Sequence, residues 1–196
     1  MTTNLERDTL ILRSWSMLHR VRDVLMRCED ERFGQYGLTS EQYAVLATVK
    51  YENGSARLVD IARWLARSPN SVSMIVDRMV KAGLLRRVRG RRDRREVRIM
   101  LTSKAKDALK PATVAGLEFI KKLMSPLSDE NLSTLVRLLE TVRHEALVYM
   151  NQEVSIEEMR GYDITSQADL MKRLKQYTLP STPEAKRRVS EKRKTV

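Results

Sequence analysis

Residues 58–102 read LVDIARWLARSPNSVSMIVDRMVKAGLLRRVRGRRDRREVRIMLT, and this stretch decides the fold. Ser68 and Pro69 mark the start of a helix within it, because serine caps unpaired backbone N–H groups and proline fits the first helical position. Apolar residues then recur at helical spacing and predict one buried stripe, formed by Val72, Ile75, Val76, Met79 and Val80. Gly83 ends this helix. A shorter helix over residues 58–67 precedes it, with four residues facing inward: Leu58, Ile61, Ala62 and Leu65.

Two short strands follow the second helix. Leu84 and Val88 alternate with arginines in the first, and the second strand has three inward-facing residues: Val97, Ile99 and Leu101. Residues 84–98 hold eight arginines against two acidic residues, a net charge of +6 that is half of the chain's formal +12. Within residues 55–57, a bridge of one or two residues is expected to form the third strand. The sequence therefore predicts a mainly α-helical protein with a small β-wing, which is a winged helix-turn-helix.

The face of the second helix opposite the apolar stripe carries mostly polar side chains. Short polar groups near a helix N-terminus suit a helix that enters the DNA major groove, where bulky groups would block the approach. We therefore take these residues as candidate DNA contacts: Ser68, Asn70, Ser71, Ser73, Met74 and Arg78. Arg78 is expected to touch phosphate rather than a base. The alternative interpretation is that this face is only the solvated side of an amphipathic helix.

The segment DIARWLARSPNSVSMIVDRMVKAGLL, followed by DRR and a strand ending in LT, resembles the MarR family of bacterial transcriptional regulators. The resemblance implies that Asp93 orients Arg95, and that Arg95 enters a minor groove whose negative potential attracts guanidinium groups. Three neighbouring arginines can share that role: Arg91, Arg92 and Arg94. The chain departs from the family at Ala105, where a glycine is usual, and in the residues beyond Met150.

Apolar helices flank the predicted DNA-binding domain. Residues 1–38 are interpreted as an N-terminal dimerisation helix, 39–101 as the DNA-binding domain and 102–150 as C-terminal dimerisation helices. The resemblance implies that the flanking helices join two subunits. Residues 151–196 form an extension with one helix near 166–177 and a basic tail, in which residues 184–196 carry a net charge of +4. The tail is interpreted either as a DNA-phosphate contact or as a solvated or protein-binding arm.

The amino-acid composition favours some classes of function and excludes others. The predicted pI near 10.1 favours a polyanionic partner. Charged residues interrupt the N-terminal apolar stretch and no run reaches membrane-spanning length, so a cytoplasmic location is expected. Cys28, His19 and His144 are too isolated for a zinc site or a catalytic group, so we expect no metal, no cofactor and no enzymatic activity. Cys28 is interpreted as an ordinary helix residue.

The main hypothesis is a homodimeric, sequence-specific transcriptional repressor that binds a pseudo-palindromic double-stranded DNA operator. Proteins of the family commonly respond to a small-molecule effector. Trp15 and His19 are candidates to line a pocket for it. The alternative is that they belong to the core, as aromatic residues on a helix more often do. Two alternatives remain open: an architectural DNA-coating protein with little sequence preference, and a winged-helix module that binds a protein partner.

Overall fold

The computed structural model describes residues 2–89, 96–150, 155–157, 160, 168 and 171–172. The chain divides into two compact units, Met1–Ile120 and Lys121–Val196. The first unit contains the three-stranded sheet and the helices around it. The domain boundaries expected from the sequence stay predictions.

The chain begins with two helices, α1 (Thr2–Gly34) and α2 (Ser40–Tyr51). A reciprocal cap starts α2, as the sequence Thr39-Ser40-Glu41-Gln42 indicates. The backbone N–H of Gln42 donates to Thr39 Oγ1 and the backbone N–H of Thr39 donates to Gln42 Oε1, each at 3.1 Å. Both groups would otherwise lack a partner at the helix end, so this pair fixes where α2 begins.

The helix-turn-helix pair is formed by α3 (Leu58–Trp64) and α4 (Pro69–Lys81). The expectation that the first of these helices reaches Arg67 is wrong by about a turn. Ala66 adopts a left-handed backbone conformation with φ of 49° and the backbone N–H of Arg67 returns to the carbonyl of Ala62 at 3.0 Å, which ends the helix early. Four residues, 65–68, therefore separate the two helices.

The wing is a three-stranded antiparallel sheet made of β1 (Ser55–Arg57), β2 (Leu85–Arg89) and β3 (Val97–Leu101). β3 lies in the centre, with Ala56 and Arg87 both opposite Ile99. Leu84, Leu85, Ile99 and Leu101 are buried. The prediction that Val97 faces the core is wrong, because Val97, at the start of β3, is 42% exposed. The predicted third strand is confirmed, although β1 has three residues instead of the expected bridge of one or two.

The core of the first unit joins the sheet to α2, α3 and α4. The predicted stripe of α4 is buried at Val72, Ile75, Val76 and Met79, whereas Val80 is only half-buried. The following helix, α5 (Ser103–Met124), approaches this core closely at Gly116. A Cβ atom there would lie 3.0 Å from the ring of Phe33, which stacks on Tyr43 with a centroid distance of 4.0 Å. The close approach accounts for the missing side chain.

The second unit contains α6 (Asp129–Tyr149), whose first turn is capped by Ser128. Several apolar side chains of α6 are exposed: Leu135, Val136, Leu138, Leu139, Val142 and Val148. Of the helix expected at residues 166–177, only Ala168, Met171 and Lys172 are described, and each is helical. The basic tail at 184–196 lies outside the described residues. The predicted fold class, mainly α-helical with a small winged sheet, is confirmed.

Candidate nucleic-acid interface

The N-terminus of α4 is held by a serine pair. The backbone N–H of Ser71 donates to Ser68 Oγ at 3.2 Å, and the two hydroxyl oxygens are 3.1 Å apart. This cap orients the first turn of the helix and leaves Asn70 beside it exposed. Met74 follows one turn later and is 68% exposed. The candidate contacts Ser68, Asn70, Ser71 and Met74 are thus all accessible, whereas Ser73 is half-buried.

Glu41 of α2 binds two arginines that flank this surface. One carboxylate oxygen pairs with Arg67, just before α4, and the other lies 3.3 Å from Arg78 Nη2. The side chain of Arg78 is 69% exposed, so it remains accessible at the surface while paired. The sequence pattern predicts Arg78 as a site residue. It does not indicate Glu41, which lies 37 residues away from Arg78 along the chain.

A further ion pair joins α4 to the wing. Asp77 Oδ1 lies 2.8 Å from Arg87 Nη2 on β2, and both side chains are partly exposed. Arg86 and Arg89, the neighbouring arginines of the same strand, are exposed. The ion pair therefore connects the wing strand β2 to α4.

Further charged groups form hydrogen bonds and ion pairs at the base of the wing. Arg57 donates to both carboxylate oxygens of Asp60 at 2.8 Å, and these hydrogen bonds lower the pKa of Asp60 below its ordinary value. Arg98 on β3 lies 3.0 Å from Glu96 and also donates to the carbonyl of Ser55 on β1 at 3.3 Å. The Arg57 pair thus joins β1 to α3, and the Arg98 contact with Ser55 joins β3 to β1.

The tip of the wing carries the remaining predicted site residues: Arg91, Arg92, Asp93, Arg94 and Arg95. All of them lie outside the described residues. The strands that lead to the tip are paired up to Arg89 opposite Val97. The proposed roles of these arginines therefore remain predictions from the sequence.

A cavity of about 420 Å³ lies between α1, α2 and the turn before α4. Its lining includes Arg22, Met26, Glu29, Glu41 and Arg67, which mixes apolar and charged groups. Partial burial and the nearby Asp30 raise the pKa of Glu29 above its ordinary value. The cavity shares Glu41 and Arg67 with the ion-pair cluster beside α4.

Trp15 and His19, the residues suggested for an effector pocket, are not part of this lining. Their rings contact each other edge to face with centroids 4.7 Å apart, on the part of α1 where the side chains are exposed. Cys28, the single cysteine of the chain, is half-buried. Across residues 2–89 and 96–150 and the few described residues beyond them, no group of three or more histidine, cysteine or acidic side chains could hold a metal ion. Within the same residues, no helix is long and apolar enough to cross a membrane.

A capped helix with an accessible polar face, paired to an arginine-bearing hairpin, defines a winged helix-turn-helix DNA-binding protein. The model of the MarR family matches residues 38–97, which span α2 to the start of β3. The HTH-type transcriptional regulator PapX of Escherichia coli is 31% identical over 110 residues, covering 56% of this chain and 67% of PapX. The chain belongs to the MarR family of transcriptional regulators.

Solved structures agree with this assignment. The organohalide-sensing regulator RdhR-CbdbA1625, in its 2,4-dichlorophenol-bound form, has a TM-score of 0.68 and 26% identity over 74% of this chain and 85% of its own. Overoxidised AbfR bound to DNA has a TM-score of 0.58 and 25% identity over 72% of this chain and 97% of its own. The fold of the chain is thus that of proteins solved both with DNA and with a small molecule.

Proposed function

We propose that the protein is a homodimeric repressor that binds a pseudo-palindromic DNA operator in a sequence-specific manner. The observation that carries the proposal is the exposed, serine-capped face of α4, which includes Arg78 and is linked to β2 by the ion pair between Asp77 and Arg87. In this proposal α4 is the recognition helix and enters the major groove. Ser68, Asn70, Ser71, Ser73 and Met74 then approach the base edges, and Arg78 contacts phosphate.

The wing would contact the same half-site through the minor groove. Arg95, oriented by Asp93, is the proposed minor-groove residue, and Arg91, Arg92 and Arg94 are its neighbours. The high arginine content of residues 84–98 supports this role, because a narrow minor groove attracts guanidinium groups. The basic tail would add phosphate contacts that do not depend on sequence.

Exposed apolar side chains support a dimer. On α1 they include Leu5, Leu10, Ile11, Leu12, Trp15, Val21 and Val24. On α6 a similar set is accessible, with Leu135, Val136, Leu139 and Val142 among them. Single exposed apolar residues are ordinary, but a contiguous face along a helix is typical of a protein contact. Two copies would also match the two-fold symmetry of a pseudo-palindrome.

The cavity beside α2 supports a response to a small molecule. Its volume of about 420 Å³ lies in the range of ligand sites, and Arg22 and Arg67 could bind a polar group of an amphipathic compound. RdhR-CbdbA1625 is bound to 2,4-dichlorophenol. We propose that an effector in this cavity, rather than one beside Trp15 and His19, alters DNA binding.

The related proteins regulate transcription, and we propose that this chain likewise acts by binding and not by catalysis. A bacterial regulator works where the chromosome is, which supports a cytoplasmic location. Repression, rather than activation, follows if the operator overlaps a promoter. Transcription in vitro from a promoter that carries the operator would then fall when the protein is added.

The test is selection of bound duplexes from a randomised DNA library with the full chain. Affinity for the enriched duplex and for random DNA is then compared at one salt concentration. A specific regulator is expected to prefer its site by about 10³-fold or more, whereas a DNA-coating protein would show a ratio near one. A protein-interaction module would enrich no DNA. Light scattering at micromolar concentration should give a dimer, and a monomer would reject that part of the proposal.

A further inference from the structure

Met74 is an apolar residue on the exposed face of α4. Its neighbours one turn away on the same face are polar, with Asn70 before it and Arg78 after it. The other methionine of the helix, Met79, is 1% exposed and fills the core, whereas 68% of Met74 is accessible. Packing within the first unit therefore accounts for Met79 and leaves the type of residue at position 74 unexplained.

Several other side chains of this face have partners, and Ser73 is half-buried. Ser71 contacts Ser68, Asp77 pairs with Arg87 and Arg78 pairs with Glu41. Among the described residues, Asn70 and Met74 have no such side-chain contact. The fold thus leaves one amide and one thioether side chain, four residues apart, available to whatever approaches the helix.

In the DNA major groove, the C5-methyl group of thymine is the apolar feature that distinguishes a base pair, and the amide of asparagine matches adenine N6 and N7. We propose that Met74 is a specificity-determining residue that reads a thymine methyl group, with Asn70 reading a nearby adenine. This inference rests on the proposed role of α4 as the recognition helix. The flexible, polarisable methionine side chain can adapt its shape to the methyl group.

Helix geometry sets the spacing between the two contacts. Residues four apart lie about 6 Å apart along a helix axis. Base pairs are stacked about 3.4 Å apart, so Asn70 and Met74 address base pairs roughly two steps apart. Each half-site is therefore expected to contain two A·T pairs at this separation.

The test begins with the duplex enriched from the randomised library. Each thymine of that duplex is replaced in turn by deoxyuridine, which lacks the C5-methyl group and keeps the base pairing. We expect one position in each half-site at which the replacement weakens binding by about fourfold, the effect of losing one buried methyl group. Replacement at the other positions should change affinity less than twofold.

Variants assign this effect to one side chain. Met74→Ala should bind the thymine and deoxyuridine duplexes equally, and Met74→Leu, which keeps an apolar group, should retain the preference. Met17→Ala is the matched control, because Met17 is also an exposed methionine but lies on α1. This control should retain the wild-type ratio of the two affinities even if its absolute affinity changes.

Two results would overturn the inference: no thymine position that responds to replacement in the wild type, or a response that persists in Met74→Ala. Either result would leave the proposed function intact, provided that the library yields an enriched duplex. If the library yields no enrichment, the proposed function itself is rejected and the inference with it. The two failures are therefore distinguishable.

Discussion

Asp77 on α4 and Arg87 on β2 form an ion pair, with 2.8 Å between Asp77 Oδ1 and Arg87 Nη2. The pair connects the two elements that are proposed to enter different grooves of one half-site. Because both side chains are about half exposed, the pair contributes little to folding. Instead, the pair influences how the wing strand β2 and α4 are oriented relative to each other.

Asp77→Asn should therefore reduce specificity more than stability. The ratio of affinities for the selected duplex and for random DNA is expected to fall roughly two- to fivefold, in line with about 0.2–1 kcal/mol for an exposed pair. The ratio corrects for the loss of a negative charge near DNA, which by itself favours all DNA. The swapped double variant, Asp77→Arg with Arg87→Asp, should recover part of the ratio. Strictly additive losses in this double-mutant cycle would contradict the coupling.

Glu41 pairs with both Arg67 and Arg78, and we expect it to compete with DNA phosphates for these arginines. Glu41→Gln keeps the shape of the side chain and removes its charge. Affinity for DNA should rise roughly two- to tenfold, since each exposed ion pair is worth about 0.2–1 kcal/mol. The plot of log affinity against log salt should also become steeper by about 0.9 for each arginine that gains a phosphate contact.

Glu118→Gln is the control for Glu41→Gln. Glu118 also pairs with an arginine, Arg32, at 3.8 Å, but it lies on α5. Its replacement removes the same charge and should leave the salt dependence of DNA binding as in the wild type. A lower affinity of Glu41→Gln would mean that Glu41 positions the arginines for DNA instead of competing for them.

Arg95→Ala tests the wing. A lost minor-groove contact should weaken operator binding by about 1–3 kcal/mol. The loss should be greater for operators whose flanks have a narrow minor groove, because such grooves hold guanidinium groups more strongly. Arg86→Ala, which removes an exposed arginine from β2, is the control and should weaken binding to all sequences alike. Unchanged operator affinity of Arg95→Ala in a fluorescence anisotropy titration would remove Arg95 from the site.

The two methionines of α4 provide a stability test of which face is buried. Met79→Ala should lower the free energy of unfolding by about 2–5 kcal/mol, because it leaves a cavity in the core. Met74→Ala removes the same atoms from an exposed position and should change that free energy by less than about 0.5 kcal/mol. Urea unfolding of both variants measures the difference. Similar losses in the two variants would show that Met74 is also packed.

Local signals in the sequence were sufficient for much of the fold. Ser68 and Pro69 identify the start of α4, and the helical spacing of Val72, Ile75, Val76 and Met79 identifies its buried face. The early end of α3 could not be predicted in this way. Ala66 is a good helix former, and its left-handed conformation depends on where α4 packs rather than on its own preference.

The site was predicted less completely than the fold. The exposed residues of α4 follow from helical spacing, but the ion pairs around them join residues distant in sequence, as Glu41 and Arg78 show. No local pattern indicates such a pair, because it exists only once α2 and α4 have packed together. Trp15 and His19 do not line the cavity beside α2, and their suggested part in an effector pocket stays a prediction.

Asp30 of α1 is hydrogen-bonded to Ser40 at the start of α2. Its Oδ1 atom accepts a hydrogen bond of 2.7 Å from the backbone N–H of Ser40. Hydrogen bonding with the Ser40 side chain, and then with its backbone, lowers the pKa of Asp30 below its ordinary value. A carboxyl group with a lowered pKa in the folded state stabilises the fold above its unfolded pKa, near 4, and this contribution disappears as the pH falls through the folded pKa.

Asp30→Asn should consequently be less stable than the wild type at pH 7, by up to about 1 kcal/mol for a capping interaction at an exposed site. The difference should shrink as the pH is lowered below about 4, where the wild-type carboxylate becomes protonated. Urea unfolding of both proteins at pH 7 and at pH 3 measures it. Asp23→Asn, which removes a carboxylate from the same helix without contacting Ser40, should match the wild type at pH 7. An Asp30→Asn difference that is equal at both pH values would show that the hydrogen bond does not depend on the charge of Asp30.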